Sequence, residues 1–192
     1  MSPLSQVVRN IIYGMTGAIR LVKLDSKGFD YFGNTRDDFW RSFLGAALLA
    51  PIFILYLVIR YFNSPSENSF SIYLISQMLA YSIAWLTFPL VMLYLAPVLQ
   101  CSNKVLRYLV AYNWLSVILN GIYLPVIILG IVGTFSEPFT NLLAITVLMW
   151  VLGMGIFVAH NALQVSFATS AGIVVIDLLL GLLIEVLTSQ AR

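Results

Sequence analysis

The chain has 192 residues, of which 60% are hydrophobic and 9% are charged, and its formal net charge at pH 7 is +2. A soluble domain carries about 25% charged residues, so this composition excludes a water-soluble globule and indicates a protein embedded in lipid. The small net charge gives no indication of nucleic-acid binding. The single Cys101 excludes an internal disulfide framework and a metal site built from several cysteines.

The N-terminal segment from Leu4 to Leu24 has the periodicity of an amphipathic helix that is too polar to span a bilayer. Its apolar side chains recur every three or four residues, at Leu4, Val7, Val8, Ile11, Ile12, Met15, Ile19 and Val22. Arg9, Arg20 and Lys23 lie on the opposite side, where they would contact anionic lipid if the helix lies in the headgroup plane. Alternatively, the apolar stripe packs on the protein's own bundle, and the two arrangements are compatible.

A polar linker at residues 25–36 follows this segment. Thr35 precedes Asp38 by three residues, a variant of the capping box that satisfies free N–H groups at a helix start. The aromatic residues Phe39, Trp40 and Phe43 then resemble the interfacial belt of a membrane protein. The linker therefore predicts a helix that enters the membrane just after residue 38.

Five apolar segments follow, each long enough to cross a bilayer core of roughly 30 Å. They are predicted at residues 43–62, 70–99, 108–133, 140–159 and 166–188. Their connectors are too short to hold a soluble domain, so consecutive spans must be antiparallel neighbours. The sequence thus predicts an all-α fold. Residues 1–38 form an N-terminal amphipathic interfacial helix with its linker, and residues 39–192 form a polytopic membrane bundle of five transmembrane helices.

Lysine and arginine are distributed unevenly between the two ends of this bundle. Six lie before the first span, and Lys104 and Arg107 lie in the loop after the second span, whereas Arg60 and Arg192 fall on the other side. Cytoplasmic loops carry an excess of positive charge. We therefore expect the N-terminus in the cytoplasm and, five crossings later, the C-terminus outside.

Asp177 lies near the middle of the fifth span, where an ionisable group costs a few kcal/mol unless it faces protein or water. Asn120 in the third span has nearly the same predicted depth, and Thr87 in the second span is close to it. One interpretation of these three residues is a proton or cation site. The other is a protonated acid that hydrogen-bonds to Asn120 and holds helices together.

Three further polar residues lie near the ends of spans. Arg60 and Glu185 are near the outer ends of the first and fifth spans, and they are predicted to form an interfacial ion pair if those helices adjoin. His160 closes the fourth span, and its sequence neighbourhood offers no companion residue for a metal site.

Small residues and prolines interrupt the apolar pattern of the spans. Ala80 and Ala84 repeat every four residues on the second span, a spacing that favours close helix packing in lipid. Pro51, Pro89 and Pro125 each lie inside a span, where proline removes one backbone hydrogen bond and favours a bend. Three bent helices would either frame a cavity beside Asp177 or set the curvature of the bundle.

The layout of nearly the whole chain, an N-terminal arm followed by five spans with very short connectors, resembles that of the Yip1-domain membrane proteins. The stretch LVKLDSKGFDYFGNTRDDFWRSFLGAALLAPIF is also similar to the opening of small uncharacterised alphaproteobacterial membrane proteins. This second resemblance implies the inner (plasma) membrane of a bacterium. The DLYGP-type motif of the eukaryotic Yip1 members does not occur here, so the resemblance implies no residue roles.

Three functions are compatible with these features. The first is a non-enzymatic membrane protein, a Yip1-like membrane organiser or an accessory subunit of a complex, whose partners are membrane lipid and other subunits or copies of itself. The second is a small transporter or channel with a proton- or cation-linked site at Asp177. The third, an intramembrane enzyme, is disfavoured because the sequence contains no nucleophile elbow, phosphate loop, paired carboxylate or metal-ligand cluster. No cofactor is predicted.

Overall fold

The computed structural model describes residues 3–64 and 68–189, and within them it contains helices and no strands. The α-helices are α1 (Pro3–Val22), α2 (Arg36–Ser42), α3 (Leu44–Asn63), α4 (Phe70–Val98), α5 (Val105–Ile131), α6 (Glu137–Leu163) and α7 (Phe167–Ser189). A short 3₁₀ helix, Ser26–Tyr31, lies between α1 and α2. Helices α3 to α7 are long and apolar enough to cross a membrane, which confirms the predicted fold class.

The fourth span differs most from its prediction of residues 140–159. Helix α6 begins at Glu137 because Pro138 falls in its first turn, where a backbone N–H has no partner inside the helix. The helix then continues past His160 and ends at Leu163, and the following Gln164 has a φ of 56° in the left-handed region. His160 therefore lies in the last turn of the helix, one residue beyond the predicted end of the span at residue 159.

The alternating direction of the five spans gives the bundle two ends. One end carries α1, α2 and the connectors at residues 99–104 and 164–166, and we call this part of the molecule the arm half. The other end carries the connectors before α4 and α6 and the last turn of α7, and we call it the distal half. The orientation of these halves relative to a cytoplasm remains a prediction.

The hydrophobic core occupies the arm half and is centred on α5, which packs between α3 and α6. Tyr108, Leu109, Ala111 and Trp114 on α5 are almost completely buried. Their buried neighbours come from α4 and α6: Phe88, Met92, Ala96, Met154, Val158, Ala159 and Leu163. Dense packing of this kind closes the interior of the arm half among the described residues.

Helix α1 docks onto this core through its small residues. The Trp114 ring occupies the space that a side chain at Gly14 would need, and Ala18 and Leu21 are completely buried. Ile11, Met15 and Val22 pack partly against the same cluster. The alternative in which the arm packs on its own bundle is therefore realised.

Another face of α1 remains exposed and apolar. Val8, Ile12 and Ile19 are 48%, 57% and 46% exposed, respectively. Arg9 and Lys23 are exposed as well, while Arg20 forms a salt bridge to Asp25 at 3.7 Å. Part of the predicted stripe is thus free to contact lipid, although contact with a lipid surface remains a prediction.

Hydrogen bonds in the linker fix the arm to the start of α5. The Thr35 hydroxyl accepts from the Asp38 backbone N–H and the Asp38 carboxylate accepts from the Thr35 N–H, which confirms the predicted capping box. The Asn34 side chain donates to the Asn103 carbonyl and accepts from the Arg107 N–H. Since Lys104 makes no side-chain cap of its own, Asn34 supplies the missing acceptor for α5.

Candidate intramembrane binding cavity

A cavity of about 630 Å³ lies in the distal half between α3, α4, α5 and α7. Helix α4 contacts α5 closely in the arm half. There the Phe88 ring lies 4.5 Å from the Tyr112 ring and 6.3 Å from the Tyr108 ring, measured between centroids. Pro89 follows directly, and on the distal side of it α4 and α5 form opposite walls of the cavity.

The small residues of α4 contribute to this opening. Ala80 and Ala84, which the sequence predicts as a close packing face, both line the cavity. Their short side chains leave space between the helices at this level instead of filling it. The same spacing of alanines is therefore compatible with a hollow as well as with a tight contact.

The cavity is long. Its wall includes Tyr112 at one end and Ile131 at the other, and these residues are 19 positions apart on α5. At 1.5 Å per residue, this separation corresponds to roughly 28 Å along the helix axis. The cavity therefore extends from beneath the arm-half core to the distal end of the bundle.

Many polar side chains form the cavity wall. They are Tyr56 and Arg60 on α3, Gln77 and Tyr81 on α4, Tyr112, Ser116, Asn120 and Tyr123 on α5, and Glu185 and Thr188 on α7. Polar groups inside a membrane are costly unless they face protein partners or a water-filled space. Their concentration on one interior surface indicates a polar site.

Gln77 is the clearest example of a polar group without a protein partner. Its side chain is 6% exposed, and its Nε2 atom has no hydrogen-bond partner among the described residues. A buried donor left unsatisfied costs about 1–3 kcal/mol. An acceptor inside the cavity, from water or a ligand, would remove this cost.

Arg60 and Glu185 face the same cavity without forming the predicted ion pair. The Arg60 guanidinium donates a hydrogen bond to the Tyr56 hydroxyl and lies 5.6 Å from the centre of the Tyr56 ring. Among the described residues, the salt bridge within 4.0 Å is the one between Arg20 and Asp25. The structure thus brings both charges to one cavity from different helices, and they do not neutralise each other.

Asp177 is bound by a tyrosine that the sequence analysis did not single out. The Tyr112 hydroxyl lies 2.9 Å from Oδ1 and 3.1 Å from Oδ2 of Asp177 and donates to the carboxyl group. Tyr112 belongs to the cavity wall, whereas Asp177 lies behind it. This hydrogen bond connects α7 to α5 at the deep end of the cavity.

The hydrogen bond between Asp177 and Asn120, one of the two interpretations of the sequence, is not formed among the described residues. The Asn120 amide donates to the Ser116 carbonyl of its own helix, and the Thr87 hydroxyl donates to the Ile83 carbonyl. Counted from the arm end, Asp177 lies ten residues into α7 and Asn120 lies fifteen residues into α5. Tyr112, seven residues into α5, has a side chain long enough to reach the carboxyl group.

His160 and the arm-end connectors form a separate polar cluster. The His160 Nδ1 atom lies 2.7 Å from the Val165 carbonyl, and the Lys104 ammonium donates to the Gln164 amide oxygen at 2.6 Å. Within the described residues, no group of three or more His, Cys, Asp or Glu side chains is arranged to hold a metal ion. Nearby, burial raises the pKa of the Cys101 thiol, and the charge of Lys104 partly opposes this shift.

A second buried polar pair in the arm half was also missed. The Asn113 Nδ2 atom donates to the Ser42 hydroxyl at 2.8 Å, and both residues are completely buried. The Ser42 hydroxyl in turn donates to the Phe39 carbonyl. A polar residue within an apolar span was the available signal for Asn113, Gln77 and Asn120 alike, but it did not show which of them would line a cavity.

The five apolar spans and their interior polar surface define a helical integral membrane protein. Comparison of the chain with protein-family models, curated proteins and solved structures gives no significant match. The resemblance to Yip1-domain proteins remains a prediction from the layout of the chain.

Proposed function

We propose that this protein binds a small polar solute inside the membrane and acts as a small transporter. The observation that carries the proposal is the cavity of about 630 Å³ with its polar wall. Small-molecule sites have volumes of about 300–1,000 Å³ and combine apolar lining with a few polar groups, as this one does. A bundle that had only a scaffolding role would gain stability by filling this space with apolar side chains.

The closed arm half is consistent with a transporter state in which the cavity opens only towards the distal end. The solute enters from the distal end, and the core around Tyr108, Leu109 and Trp114 blocks further passage. Transport then requires a second state in which the arm half opens. Helix α4 is the element suited to move, because it contacts α5 mainly on one side of Pro89.

The hydrogen bond from Tyr112 to Asp177 is suited to couple the solute to a proton or cation. The Tyr112 hydroxyl is part of the cavity wall and contacts the carboxyl group behind it. Its distance to Asp177 depends on the position of α7, which packs against α4 and α6. A change in the charge of Asp177 would therefore be transmitted to the deep end of the cavity, which is the role we propose for this pair.

Cysteine accessibility tests whether the cavity admits water and solutes. Gly181 lies on the cavity wall, and a Cβ added there meets no atom within 4 Å. We expect Gly181→Cys in the full-length protein, reconstituted in vesicles, to react with a membrane-impermeant methanethiosulfonate, because thiols ionise only in contact with water. The buried native Cys101, whose thiol pKa is raised, should contribute little background.

Leu183 provides a matched control on the same helix. It lies two residues from Gly181, is 55% exposed and is not part of the cavity wall, so it faces lipid at the same depth. Leu183→Cys should remain unreactive under the same conditions. Equal reactivity of the two variants, or no reaction at Gly181→Cys, would contradict a solute-accessible cavity.

A second candidate function is a Yip1-like membrane organiser or an accessory subunit of a membrane complex. It is favoured by α1, whose exposed apolar residues Val8, Ile12 and Ile19 lie beside basic residues. Such a helix is suited to contact a lipid surface or another membrane protein. Crosslinking in native membranes followed by mild-detergent purification would recover a partner in this case, and a protein that runs alone would argue against it.

We also propose the orientation and location expected from the sequence, with the N-terminus in the cytoplasm of a bacterial cell and the C-terminus beyond its inner membrane. The excess of Lys and Arg at the arm end supports this orientation. Fusion of a reporter that is fluorescent only in the cytoplasm should give signal at the N-terminus and none at the C-terminus. We propose no catalytic activity for the chain.

A further inference from the structure

We infer that the ligand of the cavity is a small zwitterion with an apolar side chain, in which an acid group is bound by Arg60 and an ammonium group by Glu185. The inference rests on the proposed function, since it names the class of solute that the cavity would hold. It is carried by the arrangement of the two charges and of the buried Gln77 amide.

The two charges lie at the same level of the cavity. Helices α3 and α7 run in the same direction, and Arg60 lies three residues before the end of α3 while Glu185 lies four residues before the end of α7. Both side chains line the cavity near its distal end. A ligand that enters there meets one positive and one negative group on different helices.

Neither charge is neutralised by a protein group of opposite sign. The Arg60 guanidinium is held by the neutral Tyr56 hydroxyl and ring, which orients it without cancelling its charge. The Glu185 carboxylate makes no hydrogen bond or ion pair with a described residue. Arg60 is partly buried and Glu185 is exposed near the mouth of the cavity. Complementary charges on a ligand fix its orientation in such a site. One zwitterion supplies both counter-charges and leaves no excess charge in the membrane.

The deeper wall indicates the rest of the ligand. The unpartnered Gln77 Nε2 atom offers a further donor, which an acid-group oxygen would satisfy. Beyond it, Phe53 and Trp85 form an apolar part of the wall, and Leu124 lies at about the level of Gln77. The ligand is therefore expected to place its charged groups near the distal end and an apolar group deeper in the cavity.

Three probes with the same phenyl group separate the two charges. Phenylalanine carries both charges, 3-phenylpropanoate carries only the acid group and 2-phenylethylamine only the ammonium group. Dissociation constants are measured from ligand-dependent thermal stabilisation of the full-length protein in mild detergent. We expect phenylalanine to bind at least about tenfold more tightly than either analogue, because each analogue leaves one charge of the cavity unpaired.

Substitution of either charged residue should remove the preference for phenylalanine over one of the two analogues. Arg60→Gln should lower the affinity for phenylalanine to that for 2-phenylethylamine, and Glu185→Gln should lower it to that for 3-phenylpropanoate. Arg60→Lys keeps the charge and should retain most of the preference. Glu137→Gln removes a carboxylate that is at the distal end but outside the cavity wall, so it should change none of the three affinities.

The outcomes distinguish this inference from the proposed function. Three results would contradict a zwitterionic ligand bound by Arg60 and Glu185. They are equal affinities for the three probes, no binding of any probe, and an equal change of all three affinities in Arg60→Gln and Glu185→Gln. If Gly181→Cys still reacts in such a case, the solute cavity stands with another class of ligand. If Gly181→Cys is unreactive as well, both proposals fail.

Discussion

The arm half and the distal half of this bundle use the same helices in different ways. In the arm half, α5 is surrounded by side chains from α1, α4 and α6, and residues such as Leu109 and Ala111 are completely buried. In the distal half, the continuation of α5 presents Asn120, Tyr123 and Leu124 to a cavity. Stability is thus concentrated at one end and an interior binding surface at the other.

This division has a simple physical basis. In lipid, helix association depends on van der Waals packing and interhelical hydrogen bonds, since the surrounding acyl chains are as apolar as leucine. The extra layer supplied by α1 and the linker gives the arm half many such contacts. The distal half can therefore leave its polar groups unpacked without loss of the fold.

The largest expected effect compares two leucine truncations on α5. Leu109→Ala should lower the free energy of unfolding by about 2–5 kcal/mol, because it opens a new void in a closed core. Leu124→Ala should cost less than half as much, since Leu124 already borders the cavity. Reversible denaturation of the purified protein in detergent gives both values, and equal losses would show that the two halves are packed alike.

The next effect concerns the docking of α1. Gly14→Ala places a methyl group in the position of the Trp114 ring and should cost about 1–3 kcal/mol through forced repacking. Proteolysis within the arm should become faster as α1 detaches. Gly172→Ala is the control, because a Cβ there meets no atom within 4 Å. Unchanged stability and proteolysis in Gly14→Ala would show that α1 is not held by this contact.

A smaller effect is expected at the buried polar pair of the arm half. Ser42→Ala removes the acceptor of the Asn113 amide, and the unsatisfied donor should cost about 1–2 kcal/mol. Ser82→Ala is the matched control, since its exposed hydroxyl bonds only to its own helix. A double-mutant cycle of Ser42→Ala with Asn113→Ala measures the coupling. A coupling energy of zero would show that this hydrogen bond does not stabilise the fold.

The smallest effect is expected when the cavity is filled. Ala84→Leu adds volume to open space and should change the free energy of unfolding by no more than about 0.5 kcal/mol. Ala111→Leu adds the same volume to the closed core and should cost about 1–3 kcal/mol. Thermal unfolding of the two variants compares them directly. A loss at Ala84→Leu as large as at Ala111→Leu would mean that the distal cavity is not open space.

Several features were predictable from the residues alone because they depend on local physics. The length of the apolar runs fixed the number of spans, and the spacing of Thr35 and Asp38 predicted a capping box that the structure contains. The α6 boundaries were less accurate, because a proline in the first turn and a left-handed Gln164 after the last turn set the two ends of this helix, and both lie outside its most apolar part.

The partner of Asp177 was not predictable in the same way. Its position in mid-span was evident, but depth alone favoured Asn120, and the observed partner Tyr112 depends on the relative offset of α5 and α7. Similarly, the four-residue spacing of Ala80 and Ala84 is typical of a helix-packing face, but in the structure these residues line the cavity. Both outcomes depend on where a helix lies relative to its neighbours.

The sequence by itself determined that the chain is a bundle of five membrane helices with an amphipathic arm, because the length and polarity of each segment set its cost of transfer into lipid. Only the tertiary structure decided that the arm half is filled and the distal half is hollow. It also decided that Arg60, Gln77 and Glu185, from three different helices, line one cavity. Such convergence depends on the direction and offset of separate helices, and no local pattern of residues encodes these.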